Sequence, residues 1–442
     1  MVFIVVVFFI LSLAALDNSI ASLALSAVMY AIGIIMILSM CQKKSRRVYF
    51  RLYNIIFLVY FGFAFLVSAS FSVSDNFIVT DSSQYIESYM SKTYLTWDEK
   101  DLINCYAGFG DNNFLYNIYL NGMAMFANKY LGGMTVFGLT ICQTIWGALS
   151  SLVLFRILSR RFNLKKAFQY TLLFAVCSQF MFYSTVIIRD IIICFFYLCA
   201  FDIVDQKFSV AGIFKLLLIV VIIWGIRLYS ALFAISFIVY YIYRKCRKSS
   251  FRHISASILV IILIFAITSS IGSSLMEQTA TELDEYEKLS AERSSGGIVS
   301  KLQSLPPGVS HMAIVFMTMI KPLPPLDIYT GANTFSQFAM STMYLVAGFF
   351  WFVVFYSLCY YLFVRKYILK IPVDRIILLS MCLVFLLANA AHPDIRRMMP
   401  VFPIFFLQFA EICRSKKVSL FGSKISKKLI RFYIVVALIM LI

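Results

Sequence analysis

Three short turns between apolar runs carry arginine: Ile188-Arg189-Asp190, Ile226-Arg227-Leu228-Tyr229 and His392-Pro393-Asp394-Ile395-Arg396-Arg397. A guanidinium is planar and permanently charged. It binds phosphate oxygens through two parallel N–H donors. Three such turns on one face would suit a single outward-facing anionic ligand. Two bland readings compete with this one. A long side chain near a helix end snorkels to water, or it pairs locally, as Arg189 would with Asp190. A cation at membrane depth costs about 2.5–3.5 kcal/mol on insertion scales. One such arginine is unremarkable; three at the same face are harder to dismiss.

A second constellation is Thr80-Asp81-Ser82-Ser83-Gln84-Tyr85, just beyond an apolar run. Asp81 and Tyr85 are four residues apart and share a helical face. A carboxylate there could act as general base on a sugar hydroxyl or hold a divalent cation. The competing reading is a helix N-cap, a position that Asp and Ser favour. Further on, Gly108–Phe114 reads as a turn. It feeds Leu115–Tyr130, an aromatic amphipathic stretch expected in the membrane interface. A later polar segment holds an acidic helix over Glu277–Arg293, which reads as a solvated face. Val309–Ile320 follows, twelve mostly apolar residues between proline pairs. It is too short to span and reads as re-entrant or interfacial. His311, Lys321 and Asp327 are minor site candidates there.

The elements that must position these residues are membrane helices. The chain has 442 residues, 61% apolar and 14% charged, with mean hydropathy +0.87. Soluble domains run about 45–50% apolar and about 25% charged, so a soluble enzyme is unlike this chain. Candidate spans fall at 2–16, 19–41, 53–73, 134–156, 168–187, 190–204, 210–226, 229–243, 254–271, 337–363, 375–391 and 397–412. A thirteenth, shorter run covers 432–442. Residues 1–16 lack a basic flank and a second run follows at once, so a hairpin is expected there rather than a signal peptide. The expectation is an all-α polytopic membrane protein, one domain over 1–442. It has two long outer segments, 74–133 and 272–336.

Charge sets the orientation. The net charge is +18, from 39 Lys and Arg against 21 Asp and Glu. With the amino terminus cytoplasmic, the inner loops hold 28 basic and 4 acidic residues, or +24. The remaining 11 basic and 17 acidic residues leave −6 outside. This is the positive-inside pattern. In a soluble chain +18 would suggest nucleic acid; here it is topology, and no nucleic-acid partner is implied. Nine of ten cysteines lie in or beside spans, and Cys105 stands apart, so no disulfide framework is implied. No phosphate-binding glycine motif and no clustered Cys/His zinc pattern occurs. The bulk of the polar chemistry is outside, where an activated donor would arrive attached to a lipid.

These features resemble the bacterial polysaccharide polymerases of the Wzy and EpsG type, within the GT-C group of membrane glycosyltransferases. The residues concerned are Asp81 and Tyr85 in Asp-x-x-x-Tyr after a span, the Ile-Arg-Asp turn at Arg189 and Asp190, and Asp394, Arg396, Arg397, Pro400 and Pro403 leading into a late span. Asp81 is followed by Ser82, so the Asp-Glu pair that some GT-C enzymes carry is missing. The resemblance implies a GT-C-like enzyme at the outer face of the bacterial inner membrane. It would join oligosaccharide repeat units carried on undecaprenyl pyrophosphate, transferring the growing chain to the non-reducing end of a new unit. Membrane lipids and a chain-length regulator protein are the further partners implied. Arg189, Arg227, Arg396 and Arg397 would then bind the carrier pyrophosphate. Asp81 would serve as base or orient the acceptor, and Tyr85, Asp190, Tyr229, His392 and Asp394 would line the substrate site. No cofactor is implied, and with the Asp-Glu pair missing a divalent cation is left open.

Two alternatives remain at this point. A flippase for the same lipid-linked sugar should place cations near the bilayer middle, whereas these arginines stand at span ends. A GT-C transferase using a polyprenyl-monophosphate donor would need fewer arginines.

Overall fold

The computed structural model describes residues 2–43, 45–71, 86, 88–90, 102, 113–245, 302, 305–306, 309–320, 335–389, 395–416 and 422–439. Among these the chain is helical, with no strand. The helices are α1 (Val2–Leu16), α2 (Ile20–Met40), α3 (Arg46–Phe71), α4 (Phe114–Tyr130), α5 (Val136–Arg161), α6 (Leu164–Cys177), α7 (Gln179–Ser184), α8 (Asp190–Val204), α9 (Val210–Ile226) and α10 (Leu228–Lys245). After these come α11 (Val309–Ile320), α12 (Phe335–Cys359), α13 (Val373–Ala388), α14 (Ile395–Met398), α15 (Phe402–Ser415) and α16 (Lys424–Ile439). Among the described residues, four stretches are long and apolar enough to cross a membrane: Ile20–Met40, Arg46–Ala69, Val136–Arg161 and Gln337–Val364. The runs expected at 2–16 and 210–226 and the segment Val309–Ile320 coincide with α1, α9 and α11. The run 254–271 lies outside the described residues.

Helix α5 is the central post. It packs on α2, α3, α4, α6, α7 and α8, and 89% of its apolar stretch is buried, against 44% for α2. Small and hydroxyl residues allow this crowding: Gly138, Thr140, Thr144, Gly147, Ser150 and Ser151 all lie buried on it. Without a hydrophobic drive between helices in lipid, such residues let backbones approach closely. At Gly147 a Cβ would stand 2.1 Å from Ser184 Oγ, so only glycine fits.

Two expected spans are broken. The run 168–187 divides at Ser178, whose extended backbone (φ −95°, ψ 164°) ends α6. Its hydroxyl accepts a bond from Phe180 N–H at 3.2 Å and starts α7. The run 397–412 opens with α14 and a 3₁₀ turn over Met399–Val401 before α15 begins. Pro400 and Pro403 each remove a backbone donor there. The last apolar run belongs to α16, which starts at Lys424 and sets Tyr433 against Phe349 and Phe352 of α12.

The basic end of the bundle is tied by ion pairs. Arg160 reaches Asp202 at 2.6 Å, and Arg161 bridges Asp205 and Glu411 at 2.5 Å each. Arg375 completes the chain on Glu411. This links α5, α8, α13 and α15. Glu411 and Arg161 are 12% and 13% exposed at their side chains, so removing Glu411 leaves the buried Arg161 guanidinium with Asp205 alone. Breaking a buried pair costs about 3–5 kcal/mol. Glu411→Ala should therefore lower the unfolding temperature of the purified protein by several degrees or more in a thermal melt. An unchanged melt would mean the network contributes nothing.

Candidate functional site

The three arginine turns are all breaks between helices, and three of their arginines come together. The first break follows α7. Ser184 Oγ bonds back to the Phe180 carbonyl, which weakens continuation of the helix. The β-branched run Thr185-Val186-Ile187-Ile188 then leaves the helix. Arg189 sits at the N-cap position of α8, and Asp190 is its first residue. A carboxylate there faces the positive end of the helix dipole.

Arg227 occupies the second break. It ends α9 with an extended backbone (φ −167°, ψ 112°), and its N–H bonds the Ile223 carbonyl at 2.7 Å. Its guanidinium turns inward: Nη1 donates to Asp190 Oδ1 at 2.8 Å. Both side chains are buried, at 9% and 6% exposure. Asp190 thus pairs with Arg227 across two helices, not with its neighbour Arg189, because a helix-start carboxylate points toward the α9–α10 turn. Burial pushes the Arg227 guanidinium's pKa down and Asp190 pushes it up, while Arg189 and Arg396 lower it by repulsion. Among the described residues, Asp190 is the carboxylate acting on Arg227, and Arg189 and Arg396 are the neighbouring cations.

Arg396 comes from the third break. Its turn continues into the 3₁₀ segment that packs on α8, and Cys194 Sγ of α8 lies 3.8 Å from the Pro400 carbonyl it faces. Arg396 and Arg397 are both half-buried on α14. Tyr229 stands in the first turn of α10. Asp81, Tyr85, His392 and Asp394 lie outside the described residues.

Supporting polar groups sit beneath the cluster. Arg189 donates to Asn113 Oδ1 at the N-cap position of α4. Gln143 of α5, fully buried, donates through Nε2 to the Ile188 carbonyl and accepts from Tyr116 Oη of α4 at 3.3 Å. Tyr197 of α8 donates to the Ser230 carbonyl at 2.8 Å and acts electrostatically on Arg227. None of these three was singled out from the sequence. A glutamine inside an otherwise apolar span is the one signal that would have drawn attention to Gln143.

Chemically, the cluster is a recessed patch of guanidinium donors built on the Arg227–Asp190 pair. It can stabilise an anion better than it can transfer a proton. Among the described residues no group of three or more His, Cys, Asp or Glu is placed to hold a metal ion. Comparison with family models, curated proteins and solved structures finds no match to this chain.

The Arg227–Asp190 pair separates structure from ligand binding. Arg227→Ala and Asp190→Ala should each lower the yield of folded protein sharply, since each strands a buried charge. Replacing both together, Arg227→Met with Asp190→Leu, should restore much of that yield, read as monodisperse protein on size-exclusion chromatography. A double variant no better than the singles would show that the pair's cost is not electrostatic.

Proposed function

We propose that this chain is a twelve-span, GT-C-like membrane glycosyltransferase that polymerises lipid-linked oligosaccharide repeat units. It works at the outer face of the bacterial inner membrane, taking the growing chain from an undecaprenyl-pyrophosphate carrier. The observation that carries this reading is that Arg189 and Arg396 lie near enough to the Arg227–Asp190 pair to act on Arg227.

The leaving group in such a transfer is a lipid pyrophosphate. Negative charge gathers on the oxygen that joined the anomeric carbon to phosphorus as that carbon–oxygen bond breaks. Guanidinium groups fixed in a poorly hydrated site stabilise that charge, and removing one such donor typically costs about 10²–10³ in rate. A good leaving group needs no general acid. The acceptor hydroxyl, at the non-reducing end of the second unit, loses its proton as it attacks. Asp81 is the carboxylate assigned to take that proton or to orient the hydroxyl.

Depth supports a lipid-borne substrate. Helix α8 has 15 residues and so spans about 22 Å at 1.5 Å per residue. Its far end carries Asp202 and Asp205 in the basic network. With that network at the cytoplasmic interface, Arg189 stands short of the about 30 Å hydrocarbon thickness. A phosphate carried on a polyprenol would meet it at the top of the outer leaflet. A flippase would instead need its cations near mid-membrane.

Complementation of a polymer-deficient strain tests the reading. Arg189→Ala, Arg396→Ala and Asp81→Ala should each reduce polymer yield or length by tenfold or more at normal protein levels. Arg189→Lys should not rescue fully, because a point charge lacks the bidentate fork. Wild-type polymer from all three alanine variants would sink the assignment.

A further inference from the structure

At the basic end of the bundle, a cavity of about 250 Å³ opens between α2, α5, α8 and α9. Arg156, Asp202, Lys207 and Lys215 line it, with Met36 and Met40 supplying an apolar side. Asp202 does not neutralise the wall. Its Oδ1 takes Arg160 at 2.6 Å, while its Oδ2 accepts from Gln206 Nε2 at 3.0 Å and lies 3.6 Å from Arg156 Nη1. Arg160 and Arg156 share this carboxylate, and the lining cations Arg156, Lys207 and Lys215 still outnumber the lining acid by two.

The segment holding Lys207 at the rim is built, not loose. Tyr241 Oη donates to the Lys207 carbonyl at 3.1 Å and accepts from Ser209 N–H at 2.9 Å. Gly212 packs beneath that tyrosine, where a Cβ would stand 2.5 Å from Tyr241 Oη. The two helices flanking the mouth expose apolar faces of the kind that meets lipid: Ile35 and Leu38 on α2, Phe214 and Leu218 on α9.

We propose that this cavity binds the headgroup of an anionic phospholipid. Its phosphate sits among Arg156, Lys207 and Lys215, and its acyl chains lie along the exposed faces of α2 and α9. Basic recesses between membrane helices on the cytoplasmic side are suited to anionic headgroups. The volume is below the about 300–1,000 Å³ of pockets that enclose drug-sized ligands. A phosphate with its glycerol fits, and the apolar flanks favour a lipid over a soluble anion. The site stands at the end of α8 opposite Asp190 and Arg227 and is independent of the reading of that cluster.

The test is thermal unfolding of the purified full-length protein in neutral detergent. The probes are dioctanoyl phosphatidylglycerol, dioctanoyl phosphatidylcholine and inorganic phosphate. Phosphatidylglycerol should raise the unfolding temperature saturably, and the other two should not at equal concentration. Lys207 and Lys215 are exposed, so Lys207→Ala with Lys215→Ala should preserve the fold while raising the half-saturating concentration about tenfold or more. An equal response to phosphatidylcholine overturns the proposal, as does an equal response to inorganic phosphate, which would mark a free-anion site. So does an unchanged half-saturation in the double variant. Should that variant fail to purify, the three wild-type titrations decide alone. A negative result here leaves the complementation outcome for Arg189 and Arg396 unaffected.

Discussion

An arginine and an aspartate buried together survive only because each supplies what the other has lost in water. Arg227 and Asp190 meet at 2.8 Å with under a tenth of either side chain exposed. Removing ions from water costs several kcal/mol each, even after relaxation, so neither residue can be placed there alone. The pair fixes the start of α8 against the end of α9. Every other feature of the candidate site is hung on that joint. Arg189 precedes Asp190 on the chain, and the turn bearing Arg396 packs on the same helix. The repulsion of Arg227 by Arg189 and Arg396 is tolerated because Asp190 stands among them. In the proposed reading Arg227 braces the cluster, while Arg189 and Arg396 face the phosphate.

The two ends of α8 therefore do different work. One end holds the inward-turned pair and the turn bearing Arg189. The other end, about 22 Å away, holds Asp202 and Asp205 within a network reaching α5, α13 and α15. Between them α5 runs almost wholly buried, with glycine, serine and threonine where neighbours press closest. Gly147 admits Ser184 at the point where α7 gives way to the turn bearing Arg189. Close packing in the middle of the bundle thus sets where the helix can break, and the break sets where the arginine emerges.

Much of the frame was legible in the residues. Apolar run length located α1 and α9 to the residue, and flanking prolines bounded α11. The loop arginines were legible as a group because their charge contradicts their apolar surroundings. The partner of Asp190 was not. Sequence adjacency favours Arg189, but the helix start aims the carboxylate at a turn 37 residues away. The breaks at Ser178 and Met399 were hidden because a hydroxyl or a proline within an apolar run leaves its hydropathy almost unchanged. Gln143 shows as a polar residue in an apolar span, but its partners, like those of Glu411, lie on distant segments. Arg161 and Glu411 are 250 residues apart, a pairing that no local pattern encodes.

The central claim is that these arginines form one site for a lipid-borne pyrophosphate, and direct binding tests it. Undecaprenyl pyrophosphate would be titrated onto the protein in nanodiscs, comparing wild type with an Arg189→Ala, Arg396→Ala double variant of equal folded content. Losing two charge-assisted donors should weaken the dissociation constant by at least about tenfold, with undecaprenol itself discriminating little between the two proteins. Equal affinity of both proteins for the pyrophosphate would contradict the account and return the arginines to the role of snorkelling side chains.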